Sequence, residues 1–194
     1  MGNRRLTSLQ RRKEILDIAL EIIFNQGFSN LTIKNIAEKI KLTEAAIYRH
    51  FKSKKEIIEC LVDLVFKKNQ IDDPVGDPAA LLKEIMFKRI EQFKKEPRMT
   101  AITFQEEIFS EYPDIRDKFK QQWKTNEGIL LKIIERGQKE GFFSPDVNPK
   151  SFVLIYMGSM RMILYQWKRD NFSQQIDKIA PFIIKDLFKI LEKE

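Results

Sequence analysis

The chain has 194 residues, 43% of them hydrophobic and 32% charged, and a formal net charge of +7. That allows one domain or two small ones around a real core. It excludes a membrane span, because no apolar stretch approaches the needed length. It also excludes an internal disulfide, since Cys60 is the only cysteine, and it leaves a structural zinc site without its usual ligands.

A single thiol and the absence of a signal-peptide pattern fit a reducing cytoplasm, the expected location. Met1-Gly2 is followed by Leu6 where N-myristoylation needs Ser or Thr. Only 7 Gly and 7 Pro punctuate long stretches of helical periodicity, so the expected fold is all-α. Residues 1–8 carry Arg4 and Arg5 and read as a basic arm, either a plain tail or an extension into a DNA minor groove. A first helix is expected over about 9–25, burying Ile15, Ile18, Ala19, Ile22 and Ile23, with Gly27 ending it. Phe28 and Leu31 anchor the turn beneath it.

Residues 32–54 organise the chain. Thr32 can cap a helix whose apolar positions are Ile33, Ile36, Ala37 and Ile40. Lys41 and Leu42 make a tight turn. Thr43 then caps a second helix, with Glu44 in its first turn against the positive end of the dipole. Ala46, Ile47 and Phe51 give that helix its buried side. Two helices joined so closely form a helix-turn-helix, whose second helix reads a major groove. Ala45 and Ala46 are small enough for close approach to DNA, and Tyr48, Arg49, His50 and Lys52 to Lys55 surround them with a hydroxyl, an imidazole and cations. Taken alone, the charge run is no more than a solvated face. Its placement argues otherwise: residues 1–55 hold 12 Lys plus Arg against 5 Asp plus Glu, while the rest of the chain is balanced. The whole excess lies on the segment with the helix pair, an electrostatic footprint for a polyanion.

The run Ile47-Tyr48-Arg49-His50-Phe51 followed by Lys52-Ser53-Lys54, within residues 31–58, resembles the DNA-binding segment of TetR-family transcriptional regulators. The similarity begins near Arg12 and covers the first quarter to third of the chain at motif strength. One departure is Lys41, where the family usually has Gly; a non-glycine residue with positive φ carries modest strain. The resemblance implies that Lys34, Glu44, Ala45 and Ala46 face bases. Phosphate contacts are expected from Thr32, Thr43, Tyr48, His50 and Lys54, with Arg49 beside them.

A fourth helix begins after Ser53, with Ser53 as cap and Glu56 three residues on, and runs towards Lys68. By the resemblance it links the DNA-binding unit to the rest, so the expected domains are 1–53 and 54–194. Cys60 sits among Ile57, Ile58, Leu61 and Val62 and reads as a buried, inert thiol. The stretch 71–78, IDDPVGDP, breaks the helix. Further helices are expected over 78–95, 99–109, 113–136 and 152–167. A last one covers 174–191, kinked or delayed by Pro181.

No catalytic set can be assembled: His50 is the only histidine, and no phosphate-binding glycine loop is present, so an enzyme is not expected. No cofactor or metal is expected either. The middle helices carry Phe87, Phe93, Met99 and Phe104, then Phe109, Phe119 and Trp123, then Tyr156 and Met160. At helical spacing such residues are core, and between helices they can also line an apolar ligand cavity. Glu106, Glu107, Tyr156 or Arg161 can supply the few polar contacts. Of the last two helices, Ile155, Ser159, Met162 and Ile163 line one side of the first, and Ile176, Ile179, Ile183, Leu187 and Ile190 line one side of the second. These faces either fill their own subunit or, as the resemblance implies, form a four-helix homodimer interface.

The resulting expectation is a homodimeric regulator: an N-terminal helix-turn-helix unit and a C-terminal helical effector-binding and dimerisation bundle. It would act as a repressor released from a palindromic double-stranded operator by a small apolar effector. The rivals are an activator or a regulator controlled by a protein partner, and a helical ligand-binding protein without DNA function.

Overall fold

The computed structural model describes residues 7–68, 75–104, 106–173 and 175–192. Arg4 and Arg5, on the expected basic arm, lie outside the described residues, as does part of the break at 71–78. Among the described residues the structure is all-α, with no strand and with no helix long and apolar enough to cross a membrane. The chain divides into two compact units, one formed by residues 1–68 and 98–118 and the other by 69–97 and 119–194.

In the first unit the helix ends follow from side-chain chemistry. Helix α1 is Ser8–Gln26; Thr7 Oγ1 accepts from the Gln10 amide at 3.2 Å and Gln10 Oε1 accepts from the Thr7 amide at 2.9 Å, a reciprocal cap. Gly27, at φ 87°, closes it. Helix α2 is Ile33–Ile40, and Thr32 accepts from the Asn35 amide at 3.0 Å. Lys41 stands in the left-handed region at φ 56°, ψ 47°, and its N–H reaches the carbonyls of Ala37 and Glu38. A lysine thus occupies a left-handed turn position that glycine takes more readily. Helix α3 is Glu44–Tyr48, capped by Thr43 through the Ala46 amide at 3.2 Å. Helix α4 is Lys54–Lys68; Ser53 accepts from the Glu56 amide at 3.2 Å, and the Glu56 carboxylate accepts from the Lys52 amide at 2.7 Å.

Packing follows the apolar stripes. Helix α1 packs on α2 and α4, and α2 on α3. Ile15, Ile22, Ile36, Ile47, Ile57 and Ile58 are fully buried, each contributing about 1.5–3 kcal/mol. Ile18, expected in this core, is only half-buried, and Leu20 takes its place. The expected single helix over 99–109 is instead α6, Thr100–Thr103, and α7, Glu106–Glu111. Phe104 leaves helical geometry at φ −114°, ψ 19°, just where the Thr103 hydroxyl turns back to donate to the Met99 carbonyl at 3.1 Å. Helix α6 packs on α1 and α4, so the described first unit includes a wall supplied from later in the chain.

The second unit contains α5 (Pro78–Lys95), most of α8 (Pro113–Lys139), α9 (Pro149–Arg169) and α10 (Ile176–Leu191). Helices α5 and α9 start alike, with a capping acceptor before a proline: Asp77 takes the Ala80 amide at 2.7 Å and Asn148 the Ser151 amide at 3.0 Å. Helix α10 packs on α5 and α9, and α5 packs on α9. Leu82, Met86, Ile90 and Phe93 of α5 and Phe152, Tyr156 and Trp167 of α9 are buried. Gly137 lets α8 pass under the Phe143 ring, which a Cβ at that position would strike. Pro181 lies inside α10; the helix begins at Ile176, two positions later than expected.

Candidate nucleic-acid interface

The helix pair presents a varied face. Glu44 and Ala45 are exposed at the start of α3, Ala46 is half-buried, and Tyr48 and Arg49 are exposed beyond them. Lys34 is exposed on α2, with Nζ 4.0 Å from Glu38. Thr32 and Thr43 use their oxygens as cap acceptors, which leaves each hydroxyl proton available to a phosphate oxygen. The half-buried His50 lies with Nδ1 3.4 Å from Ser8 Oγ.

Lys54 differs from the rest. Its Nζ is 3.3 Å from the Glu111 carboxylate and 4.5 Å from the centre of the Phe28 ring. Beside it, Lys55 pairs with Asp114 at 2.8 Å, and that carboxylate, the chief cause, raises the ammonium pKa. Acidic residues from 98–118 thus neutralise part of the basic run. Among the described residues, Lys41, Arg49 and Lys52 make no ion pair, so they carry the exposed positive charge beside α3.

Arg12, which the sequence did not single out as functional, holds this face in place. Its guanidinium donates to the His50 carbonyl, sits 3.1 Å from Glu56, and covers the Phe51 ring at 4.0 Å. The end of α3 is tied by one side chain to α1 and α4. The Lys52 amide foremost, and Arg12 after it, hold the Glu56 carboxyl below its usual value. Arg12 also lies 3.6 Å from Cys60 Sγ, yet burial dominates there and pushes the half-buried thiol up, which keeps it protonated at neutral pH.

The residues expected to line a ligand cavity are dispersed. Met99, buried, and Phe104, half-buried, belong to the first unit. The Phe109 side chain lies outside the described residues, with those of Glu106 and Glu107. In the second unit Phe87 faces an open groove on α5 beside Glu84, Lys88, Glu91 and Lys95. Trp123 is exposed, and Phe119 and Met160 are half-buried. Phe93 and Tyr156 are fully buried, and the Tyr156 hydroxyl donates to the Leu82 carbonyl at 2.6 Å. The half-buried Arg89 has its guanidinium carbon 5.7 Å from the Phe93 ring centre. Burial pushes Arg89 down to about 10, so the cation persists at neutral pH.

The last two helices leave apolar side chains bare. Ile155, Met162, Ile179 and Ile190 are exposed, and Ser159 and Ile183 are half-buried. Ile163, Ile176 and Leu187 turn inward and fill the core of their own subunit. The exposed stripe instead continues through Leu154 (67%), Tyr165 (47%) and Phe182 (69%). A helical repeat alone does not fix which side of an apolar helix faces its own core, and these helices are apolar over a wide arc.

Comparison with known proteins agrees with the all-α fold. The family model described as bacterial regulatory proteins, tetR family, matches residues 15–61. A second, described as YsiA-like protein, C-terminal region, matches residues 51–189. The nucleoid occlusion factor SlmA of Vibrio cholerae is 28% identical over 88% of this chain and 89% of its own. The HTH-type transcriptional repressor KstR2 of Rhodococcus jostii is 23% identical over 88% of this chain and 85% of its own. The crystal structure of AibR with isovaleryl coenzyme A and operator DNA superimposes with a TM-score of 0.77 at 18% identity, covering 94% of this chain and all of that one.

Proposed function

The chain belongs to the TetR family of bacterial regulatory proteins, and from that premise we propose a homodimeric repressor, released from a palindromic operator by a small, largely apolar molecule of acyl type. The observation that carries the DNA-binding part is the doubly capped pair α2–α3, with Glu44 and Ala45 open at the start of α3 and unpaired Lys41, Arg49 and Lys52 around it. Two-fold symmetry would set two α3 helices in successive major grooves and require a palindrome. The exposed stripe on α9 and α10 is the dimer face in this reading. KstR2 is a repressor, and AibR is known with an acyl thioester and its operator; these similarities support repression and an acyl-type effector for this chain. The effector would act by binding more tightly to a state whose α3 helices are wrongly spaced. The working place is the cytoplasm, with the DNA, and no catalytic step is assigned.

Within this reading, Lys34, Glu44, Ala45 and Ala46 face bases, Glu44 accepting from a cytosine N4 amine. Thr32, Thr43, Tyr48, Arg49 and His50 hold the backbone. Lys54 joins them only by exchanging Glu111 for a phosphate. The test is selection of bound duplexes from a random pool, followed by affinity across a salt series. A palindromic consensus is expected, and Glu44→Gln should alter one base preference per half-site. Lys54→Ala should flatten the salt slope by about one unit if the exchange occurs. Binding without sequence preference would defeat the reading. The similarity to SlmA, a nucleoid occlusion factor, supports a second reading in which the DNA-bound dimer acts through a protein partner. Operator affinity indifferent to every acyl compound tried would favour it.

A further inference from the structure

Helix α4 opens on two lysines, and each meets an acid from the stretch where α7 gives way to α8, all within the first unit. The two pairs are built differently. Lys55 Nζ lies 2.8 Å from Asp114 and 3.7 Å from Glu59, so two carboxylates share it. Lys54 Nζ has one carboxylate within ion-pair distance among the described residues, Glu111, at the longer 3.3 Å. Its side chain keeps 27% of its surface exposed, and its flexible stem can swing the ammonium outward. Glu111 does not depend on that lysine. The same carboxylate oxygen accepts from the Tyr112 hydroxyl at 2.6 Å. That hydrogen bond first, and Lys54 after it, hold the Glu111 carboxyl below its usual value. Tyr112 is anchored in turn, its ring edge-on to the buried Phe28 with centres 6.5 Å apart. The acid is therefore fixed, while the cation is held by one exposed ion pair and by the Phe28 ring at 4.5 Å. Such a pair is weak, because water and salt screen it, and a phosphate oxygen offers the same partner.

We propose that Glu111 is an internal competitor for DNA phosphate, holding Lys54 in the DNA-free protein and giving it up when a duplex docks. The strength of the ion pair is subtracted from every DNA affinity, sequence-specific or not. The linkage is reciprocal, so a docked duplex leaves Glu111 with Tyr112 as its donor and without its cation. This rests on the reading of Lys54 as a phosphate contact, and it adds what controls the availability of that contact.

The experiment is a double-mutant cycle on the full-length protein: wild type, Glu111→Gln, Lys54→Ala and the two combined, with helix content and thermal melting recorded for each. Gln keeps an acceptor for the Tyr112 hydroxyl and removes only the charge. Two labelled duplexes of equal length serve as probes, one selected from a random pool and one of mixed sequence, and fluorescence anisotropy follows binding across a salt series. Glu111→Gln should bind both duplexes about two- to fivefold more tightly than wild type. Its salt slope should steepen by up to about one unit, since Lys54 then meets phosphate without first leaving an acid. In the Lys54→Ala background the same substitution should change neither affinity nor slope. A gain of equal size with and without Lys54 overturns the proposal, because Glu111 then only repels the duplex through space. Unchanged or weaker binding by Glu111→Gln also overturns it. Wild type that binds neither duplex overturns both this proposal and the DNA-binding reading beneath it. If Glu111→Gln does not fold, Tyr112→Phe decides. Without the hydroxyl, Glu111 relies on Lys54 more, so DNA binding should weaken about twofold when Lys54 is present and stay unchanged when it is not. Equal effects in the two backgrounds, or none in either, overturn the proposal.

Discussion

In the first unit Arg12, Lys39, Lys54 and Lys55 each have a carboxylate within ion-pair distance. In the second, Arg89 has none among the described residues, and α9 and α10 leave Leu154, Met162 and Phe182 bare. The first unit sets its helix ends with side-chain caps and pairs part of its charged face, leaving Lys41, Arg49 and Lys52 open. The second leaves apolar side chains of α9 and α10 exposed. Regions that must respond to a ligand are drawn from the less completed part of a fold.

The contrast is broken most strongly at the bare stripe. Leu154→Glu combined with Phe182→Glu should turn the dimer into monomers in sedimentation experiments. Operator affinity should then fall by about 10²–10⁴, because the second half-site contact is no longer intramolecular. A variant that remains dimeric would remove α9 and α10 from the interface.

The next largest effect is expected in the first unit. Arg12→Met removes the donor to the His50 carbonyl and leaves Glu56 without its cation, and should cost about 2 kcal/mol in urea unfolding. Operator binding should suffer as well, since the end of α3 loses its tie. The smallest change concerns Lys41: Lys41→Gly should relieve the left-handed strain and gain about 0.5 kcal/mol, read as a small rise in Tm.

Helices α2, α3 and α4 are legible in the sequence because their determinants are local. Thr32, Thr43 and Ser53 each cap within three residues, and the apolar spacing names the buried faces. What escaped notice acts over distance. Lys54 reads as a free phosphate-binding cation until Glu111, 57 positions later, folds against it. The break at Phe104 falls where a Thr hydroxyl turns back on its own helix, a feature that apolar periodicity does not register. On α9 and α10, Ile163, Ile176 and Leu187 share an apolar character with their exposed neighbours. Only the packing of α5 against α9 and α10 decides which of them face inward.

Because α6 lies against α1 and α4, the unit that carries α3 is discontinuous along the chain. During synthesis α1 to α4 leave the ribosome first, with the apolar ground for Met99, Ala101 and Ile102 still uncovered. The nascent segment must wait for residue 118 before that ground closes, which exposes it to chaperones and to mispairing with neighbouring chains. The same order limits engineering by grafting. A fragment cut after residue 68 carries the reading helix away without the wall behind it, whereas a graft that also includes 98–118 keeps the unit whole.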